Sequence, residues 1–222
     1  MLRLMKNRQN RVILSKNCLG IDKVRTASQD QVKIEVNYMS LKEQLEYFIP
    51  YDEQEERDKE QMLKFIKDYD DVFTRNNIFG HFSASAFVVN KERTKMVVVY
   101  HIINDGWIYP GGHADGEEDL LSVAVREVEE ETGLKVKVLD NNIYSIQSAP
   151  VKGHIKRGKY VSAHLHFDVL YIMEADDTIP LVYREDESKG VKWIPFEEAD
   201  NETMCDFIRP IHKKLIKKLK DR

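Results

Sequence analysis

Residues 112–134 read GHADGEEDLLSVAVREVEEETGL, and the fold turns on how this stretch is read. Between Glu117 and Thr132 the residues Leu121, Ala124, Val125 and Val128 recur at helical spacing, which predicts a helix able to pack onto a sheet. Gly133 stands where a left-handed residue would close it. Glu127, Glu130 and Glu131 fall at i, i+3 and i+4, so three carboxylates gather on a neighbouring face. Like charges this close repel, and clustered carboxylate oxygens are what hard divalent cations prefer. Most Glu-rich helix faces are simply solvated, and three glutamates alone would leave that reading ahead. Nine positions at fixed spacing do so: Gly112, Glu118, Arg126, Glu127, Val128, Glu130, Glu131, Gly133 and Leu134.

Upstream of this helix the pattern is that of strands. His81–Val89 and Lys95–Ile103 are β-rich runs joined by a polar turn at 90–94, and Trp107–Tyr109 leads into Pro110-Gly111-Gly112. Downstream, strands are predicted around 134–139, 142–148, 160–173 and Val191–Ile194, then an amphipathic helix from Phe207 to Leu219. Two capping signals precede the strands. Ser40-x-x-Glu43 opens a short helix with Leu41, Leu45, Phe48 and Ile49 on one face, stopped by Pro50. Asp52-x-x-Glu55 opens a longer one with Met62, Phe65, Ile66 and Tyr69 on one stripe. Residues 1–38 carry no sustained period and are expected to be a disordered extension. A helical segment at 39–75 and a main domain at 76–222 follow, and the mixture of strands and helices predicts a layered α/β domain.

Composition narrows the function classes. Hydrophobic residues make up 42% and charged residues 32%, with a formal net charge of -4. That balance argues against a general partner of nucleic acid or of an anionic membrane, which would need a positive field. Residues 1–38 are the exception, with eight Lys/Arg against three Asp/Glu. Cys18 and Cys205 have no paired spacing, so neither a disulfide framework nor a zinc ribbon is expected. No apolar run is long enough to span a bilayer or serve as a secretory signal, and a cytoplasmic location is expected.

The nine spaced positions resemble the Nudix box, and every defined position of that box is present. The resemblance covers residues 80–210 in layout and implies an α/β/α sandwich with a mixed sheet, here preceded by a short helical segment. It implies hydrolysis of a nucleoside diphosphate linked to another moiety. It also implies that Glu130 and Glu131 bind Mg²⁺ or Mn²⁺, assisted by Glu127 and the backbone carbonyl of Gly111. Arg126 would hold the glutamates by ion pairing, with Glu118 as its partner. Two carboxylates compete as general base: Glu127 in the box, ranked first, and Glu187 in a later loop, with Glu185 as its rival. Homodimers are common among the proteins this chain resembles. Isopentenyl-diphosphate isomerases share the fold, but they resemble an arrangement with a cysteine near the glycines, and Trp107 to Ala114 contains none. Non-catalytic ligand sensors on this fold tend to have damaged boxes, unlike this one.

Outside the box, Ser162, His164, His166 and Asp168 share one face of a strand and read equally well as a cleft wall or as a solvent-facing surface. Zinc is not expected there, because no cysteine lies nearby and the carboxylates already account for the chemistry. Lys152 to Lys159, including Lys156 and Arg157, concentrates positive charge in what reads as a flexible loop that could clamp a phosphate. Of Trp107 and Tyr109, at least one is expected in the core.

Overall fold

The computed structural model describes residues 39–102, 105–156, 158–183, 188–201 and 203–222, together with four short strands nearer the N-terminus. The chain divides into two compact units, Met1–Glu43 and Gln44–Arg222.

In the first unit β1 (Leu4–Lys6) pairs with β2 (Val12–Leu14), and β3 (Ile21–Lys23) pairs with β4 (Ile34–Val36), both antiparallel. The disorder expected for residues 1–38 falls largely on residues outside the described ones. Helix α1 (Leu41–Tyr47) starts where the capping box predicts. The Glu43 amide donates to Ser40 Oγ at 3.3 Å and the Ser40 amide donates to the Glu43 carboxylate at 2.8 Å. Leu41, Leu45 and Phe48 are buried as expected, but Ile49 lies beyond the helix end and is 84% exposed.

In the second unit α2 (Glu53–Asp68) begins at Asp52, whose side chain accepts from the Glu55 amide. Met62 and Phe65 are buried, whereas Tyr69 caps the end and is largely exposed. Glu55 is fully buried, an expensive place for a charge unless it is paired. It accepts from Ser145 Oγ and lies 3.4 Å from Lys214 Nζ and 3.1 Å from Lys218 Nζ. One buried carboxylate thus ties α2 to a sheet strand and to the C-terminal helix.

The sheet is mixed. Its order is β10 (Ser145–Val151), β13 (His164–Glu174), β5 (Gly80–Val89), β6 (Lys95–His101) and β14 (Ser188–Pro195). β13 and β5 are parallel over ten paired positions, and the other pairs are antiparallel. β5 and β6 share only the Val89–Met96 pair and then part. The gap is entered by β7 (Gly106–Ile108), paired to β6, and β8 (Gly111–His113), paired to β5. A two-residue strand β9 (Lys137–Val138) pairs with β13. A register shift between Ser188 and Val191 marks the end of β14 nearest the opening.

Every residue of β5 is buried, as a strand covered on both faces requires. Phe87, Val89, Leu170 and Ile172 pack in one cluster with Ile211, Leu215, Ile216 and Leu219 of α4 (Arg209–Lys220). Helix α3 (Leu120–Thr132) packs against β5, β8 and β13. It starts three residues later than predicted, because Asp119 accepts from the Ser122 amide and sets the cap there. The inward stripe is correspondingly rotated: Leu120, Val123, Ala124, Val128 and Thr132 are buried, while Leu121 and Val125 are only half-buried. Gly133 closes α3 at φ 71°, as predicted. A further difference lies at 152–159, where β11 (His154–Lys156) and β12 (Lys159–Val161) form an antiparallel hairpin in place of the expected flexible loop. Among the described residues no helix is long and apolar enough to cross a membrane.

Candidate active site

The box folds as strand, turn and helix. β8 places Gly111 opposite Ser85 and Gly112 opposite Ala84, directly beside the outer face of α3. The Gly111 amide donates to the Glu131 carboxylate at 2.9 Å. A Cβ at Gly112 would overlap the Glu127 carboxylate, so only glycine lets that carboxylate lie against the backbone. The turn from β8 into α3 carries Asp115 at φ 48° and Gly116 at φ 95°. Arg75 grips Asp115 with both arms of its fork, Nε at 2.7 Å and Nη2 at 2.6 Å.

Arg126 threads between the acids. Its Nη1 lies 2.6 Å from Glu117, its Nη2 3.4 Å from Glu127 and its Nε 3.9 Å from Glu130. The partner expected from the resemblance was Glu118; the structure substitutes Glu117, because α3 begins only at Leu120 and the preceding turn presents Glu117. One cation among the carboxylates offsets part of their mutual repulsion and fixes their directions. Glu127 is mostly covered, with 18% of its side chain exposed, while Glu130 is 47% exposed. Glu127 and Glu131 converge on the glycine turn, with Glu130 beside them on the same helix, and carboxylate oxygens are the donors a hard divalent cation takes. The residues present therefore fit such an ion.

Across β8 from α3 the sheet presents a polar face. Asp168 is buried, and burial pushes its carboxyl upward from the usual range. Four donors oppose that shift: Ser85 Oγ at 2.8 Å, Ser83 Oγ at 2.9 Å, Tyr109 Oη at 3.2 Å and Gln147 Nε2 at 3.1 Å. Tyr109 is thus the core aromatic, and its hydroxyl is held well above its ordinary pKa by burial and by Asp168. Trp107 is half-buried, edge-on to Tyr100, with Lys192 Nζ 4.3 Å above its ring.

His164 and His166 are half-buried and not alone. His81, paired in register with His166, and His113 at the end of β8 join them. His166 Nε2 lies 3.2 Å from His164 Nε2 and 3.2 Å from His113 Nε2. Burial first, then neighbouring positive groups, lowers these rings: His81 to about 4, His113 to about 3 and His166 to about 2. All three are neutral at pH 7. Lys156, on the β11–β12 hairpin, is near enough to contribute to the shifts of His113 and His101, so the hairpin brings positive charge to this side of the box. Arg157 and Glu187, with its rival Glu185, lie outside the described residues.

Reading the sequence brings together Glu127, Glu130, Glu131, Arg126 and Gly111 in one place, and separately His164 and His166. It misses Arg75, Glu117, His81, His113 and the Ser83–Ser85–Gln147 cradle of Asp168. One signal for the last was present: His81, Ser83 and Ser85 alternate with Phe82, Ala84 and Ala86, the mark of a strand with one polar face.

A family model of the NUDIX domain matches residues 80–219. An RNA pyrophosphohydrolase from Pelagibacter ubique is 30% identical over 140 residues, covering 60% of this chain and 87% of that protein. A CMP-5'-(N-acetyl-N-hydroxy-3-aminopropyl)phosphonate hydrolase from Streptomyces rubellomurinus is 28% identical over 120 residues, covering 52% of this chain and 52% of that protein. The crystal structure of a MutT protein from Methanosarcina mazei Go1 matches with a TM-score of 0.51 at 17% identity, over 64% of this chain and 96% of that one, which is a likeness of fold. The span matched by the family model holds the sheet, the glycine turn and the carboxylate helix just described, and the chain belongs to the Nudix hydrolase family.

Proposed function

We propose that this protein is a cytoplasmic hydrolase that cuts the pyrophosphate linkage of a small nucleoside-diphosphate derivative with Mg²⁺, which Mn²⁺ can replace. The observation that carries the reading is the pair Glu127 and Glu131 at the glycine turn, with Glu131 accepting from the Gly111 amide at 2.9 Å and Glu130 adjacent on the helix. These three carboxylates and the Gly111 carbonyl would hold the ion. Bound there, it would supply charge to neutralise the diphosphate and to make a water easier to deprotonate.

The protein's own groups supply the rest. Arg126 keeps the carboxylates apart and aimed. Glu127, held against Gly112, takes a proton from the water that attacks phosphorus. The bond from that phosphorus to the bridging oxygen breaks, and the leaving phosphate departs with the electron pair. Lys156 and Arg157 meet the charge of the far phosphate or terminal group, while His164 and His166 line the substrate side. Four neutral donors around Asp168 keep the wall beside them rigid.

A metal-supplemented hydrolysis screen over sugar nucleotides, dinucleotides and oxidised nucleoside triphosphates tests the reading. It should include a 5'-triphosphate RNA, because the Pelagibacter relative is named for RNA. Turnover of a small nucleotide that vanishes on chelation is the expected result; turnover of RNA alone, or none at all, would overturn it. On the best substrate, Glu127→Gln should lower turnover about a hundredfold or more, and Glu187→Gln only by a modest factor. The reverse order transfers the base to Glu187. Equal mild effects leave neither carboxylate as the base.

A further inference from the structure

A second donor set of different chemistry stands beside the carboxylates. His81, His164 and His166 each offer a ring nitrogen, and the three atoms lie within 4.8 Å of one another. We propose that these three imidazoles form a site for a borderline-soft divalent transition-metal ion of the Zn²⁺ type, separate from the Glu127–Glu130–Glu131 set and with its fourth position open.

The hydrogen-bond pattern supports this directly. His164 Nδ1 lies 2.8 Å from the Ser162 carbonyl, which can only accept, so Nδ1 carries the hydrogen and Nε2 presents a bare lone pair. Such a bond from the far nitrogen to a backbone carbonyl is how metal-bound histidines are usually oriented. His166 Nε2 faces both His164 Nε2 and His113 Nε2 at 3.2 Å. A neutral ring has one N–H at most, so it can serve only one of these two neighbours. An ion between the rings resolves the conflict, since every nitrogen then points its lone pair inward. The 3.2 Å between His164 Nε2 and His166 Nε2 also fits, because Zn–N bonds of about 2.05 Å in a tetrahedron set the nitrogens about 3.3 Å apart, and the His81 nitrogen lies within 4.8 Å of both.

His81 supplies the independent sign. It is 3% exposed, and neither of its ring nitrogens has a hydrogen-bond partner. The Asn77 backbone lies close enough to influence its charge but outside hydrogen-bond geometry. Buried polar side chains are almost always satisfied, and an orphan ring aimed among three others is what a missing ligand atom leaves behind. Its ring centroid lies 5.1 Å from that of His164 and 4.8 Å from that of His166. Arg75, a positive neighbour of these rings from the segment before β5, has its charge met by Asp115 of the β8–α3 turn. Three protein nitrogens with an open position is the arrangement of catalytic rather than purely structural zinc. His113 Nε2 lies 3.2 Å from His166 Nε2, beside the three rings and one residue past Gly112, and the ligand class proposed for the open position is a phosphate oxygen of the substrate.

The test is equilibrium dialysis of the full chain against Zn²⁺ in excess Mg²⁺, read by elemental analysis, with Co²⁺ absorption spectra alongside. One Zn²⁺ per chain and the visible bands of tetrahedral Co²⁺ are expected. The pair His164→Gln with His166→Gln should weaken zinc binding at least about a hundredfold, whereas Glu130→Gln with Glu131→Gln should leave it unchanged. Should the histidine pair unfold the protein, ring resonances of the parent chain can be followed by NMR during the zinc titration. Shifts centred on His81, His164 and His166 support the site. Zinc that is displaced by Mg²⁺, that is lost in the glutamate pair but kept in the histidine pair, or that fails to bind at all overturns it.

Discussion

The carboxylate face of α3 and the imidazole–Asp168 face of the sheet meet at β8, yet they are built by opposite means. Glu127, Glu130 and Glu131 sit within five consecutive residues, and helical geometry alone brings them together. His81, His113, His164 and His166 come from three strands, and only the parallel register of β5 with β13 and the insertion of β8 make them neighbours. The first region repels itself and is partly open to solvent; the second is largely covered and cross-bonded. The acidic cluster is thus placed on a local element, and the imidazole wall is left to tertiary structure.

Removing one charge from α3 is the most severe way to break this contrast. Glu131→Gln keeps the side chain's size and its bond to the Gly111 amide but weakens the proposed ion site. Turnover should fall at least about a hundredfold while the melting temperature holds or rises, because the apo-state repulsion is relieved. A parental rate in steady-state assays would remove Glu131 from the ion site.

The same contrast explains what could be read in advance. The glycine turn, α3 with its Gly133 cap and the Ser40–Glu43 box were legible because each is decided by residues within one or two turns of chain. The start of α3 was misplaced by three residues because Glu117 and Glu118 fit a helix equally well, and only the Asp119 cap selects Leu120. Arg75 and His81 were invisible for a different reason. Their partners, Asp115 and His166, are 40 and 85 positions away in sequence, and no local pattern encodes such a distance. The stretch 152–159 reads as a loop because the strands β11 and β12 are three residues each and its composition is polar.

On the sheet face the sharpest probe is Asp168→Asn. Two donors converge on each carboxylate oxygen, and an amide can present an acceptor to only one pair. The hydroxyls of Ser83, Ser85 and Tyr109 can turn to accept, but the Gln147 amide nitrogen cannot. A loss of about 1–3 kcal/mol in urea unfolding is expected, with a fall in turnover far smaller than that of Glu131→Gln. A larger loss of turnover than of stability would make Asp168 part of the chemistry rather than of the wall.

The buried rings predict a pH dependence of stability. Burial lowers His81 and His212 to about 4 in the folded chain, while an unfolded histidine titrates near 6.5. The unfolded state therefore binds more protons below about pH 6.5, so stability is full above that value and is lost as pH falls toward about 4. In the presence of a chelator, each such ring contributes a slope of up to about 1.4 kcal/mol per pH unit within that window. Urea titrations at pH 7.5 and pH 5 read it, and His212→Gln should flatten the slope by about one proton. Equal stability at both pH values in the parent chain would mean that these rings are not held neutral.

The smallest effect is expected from the segment that belongs to neither face. Residues 1–38 carry eight Lys/Arg against three Asp/Glu, opposite in sign to the whole chain at -4. Their described strands pair among themselves, β1 with β2 and β3 with β4. Helix α1 has its own cap in Ser40 and Glu43, so it needs nothing upstream to start. The NUDIX match begins only at residue 80. Deleting 1–38 should therefore shift the melting temperature by no more than about 2 °C, the scale of a neutral surface change in a chain of this size. Turnover should be unchanged. A basic segment could still draw in an anionic substrate from a distance, and that contribution would read as a higher KM at low salt that disappears at high salt, with kcat untouched. A fall in kcat would place the segment at the site itself, and a large drop in melting temperature would show that it packs on the domain.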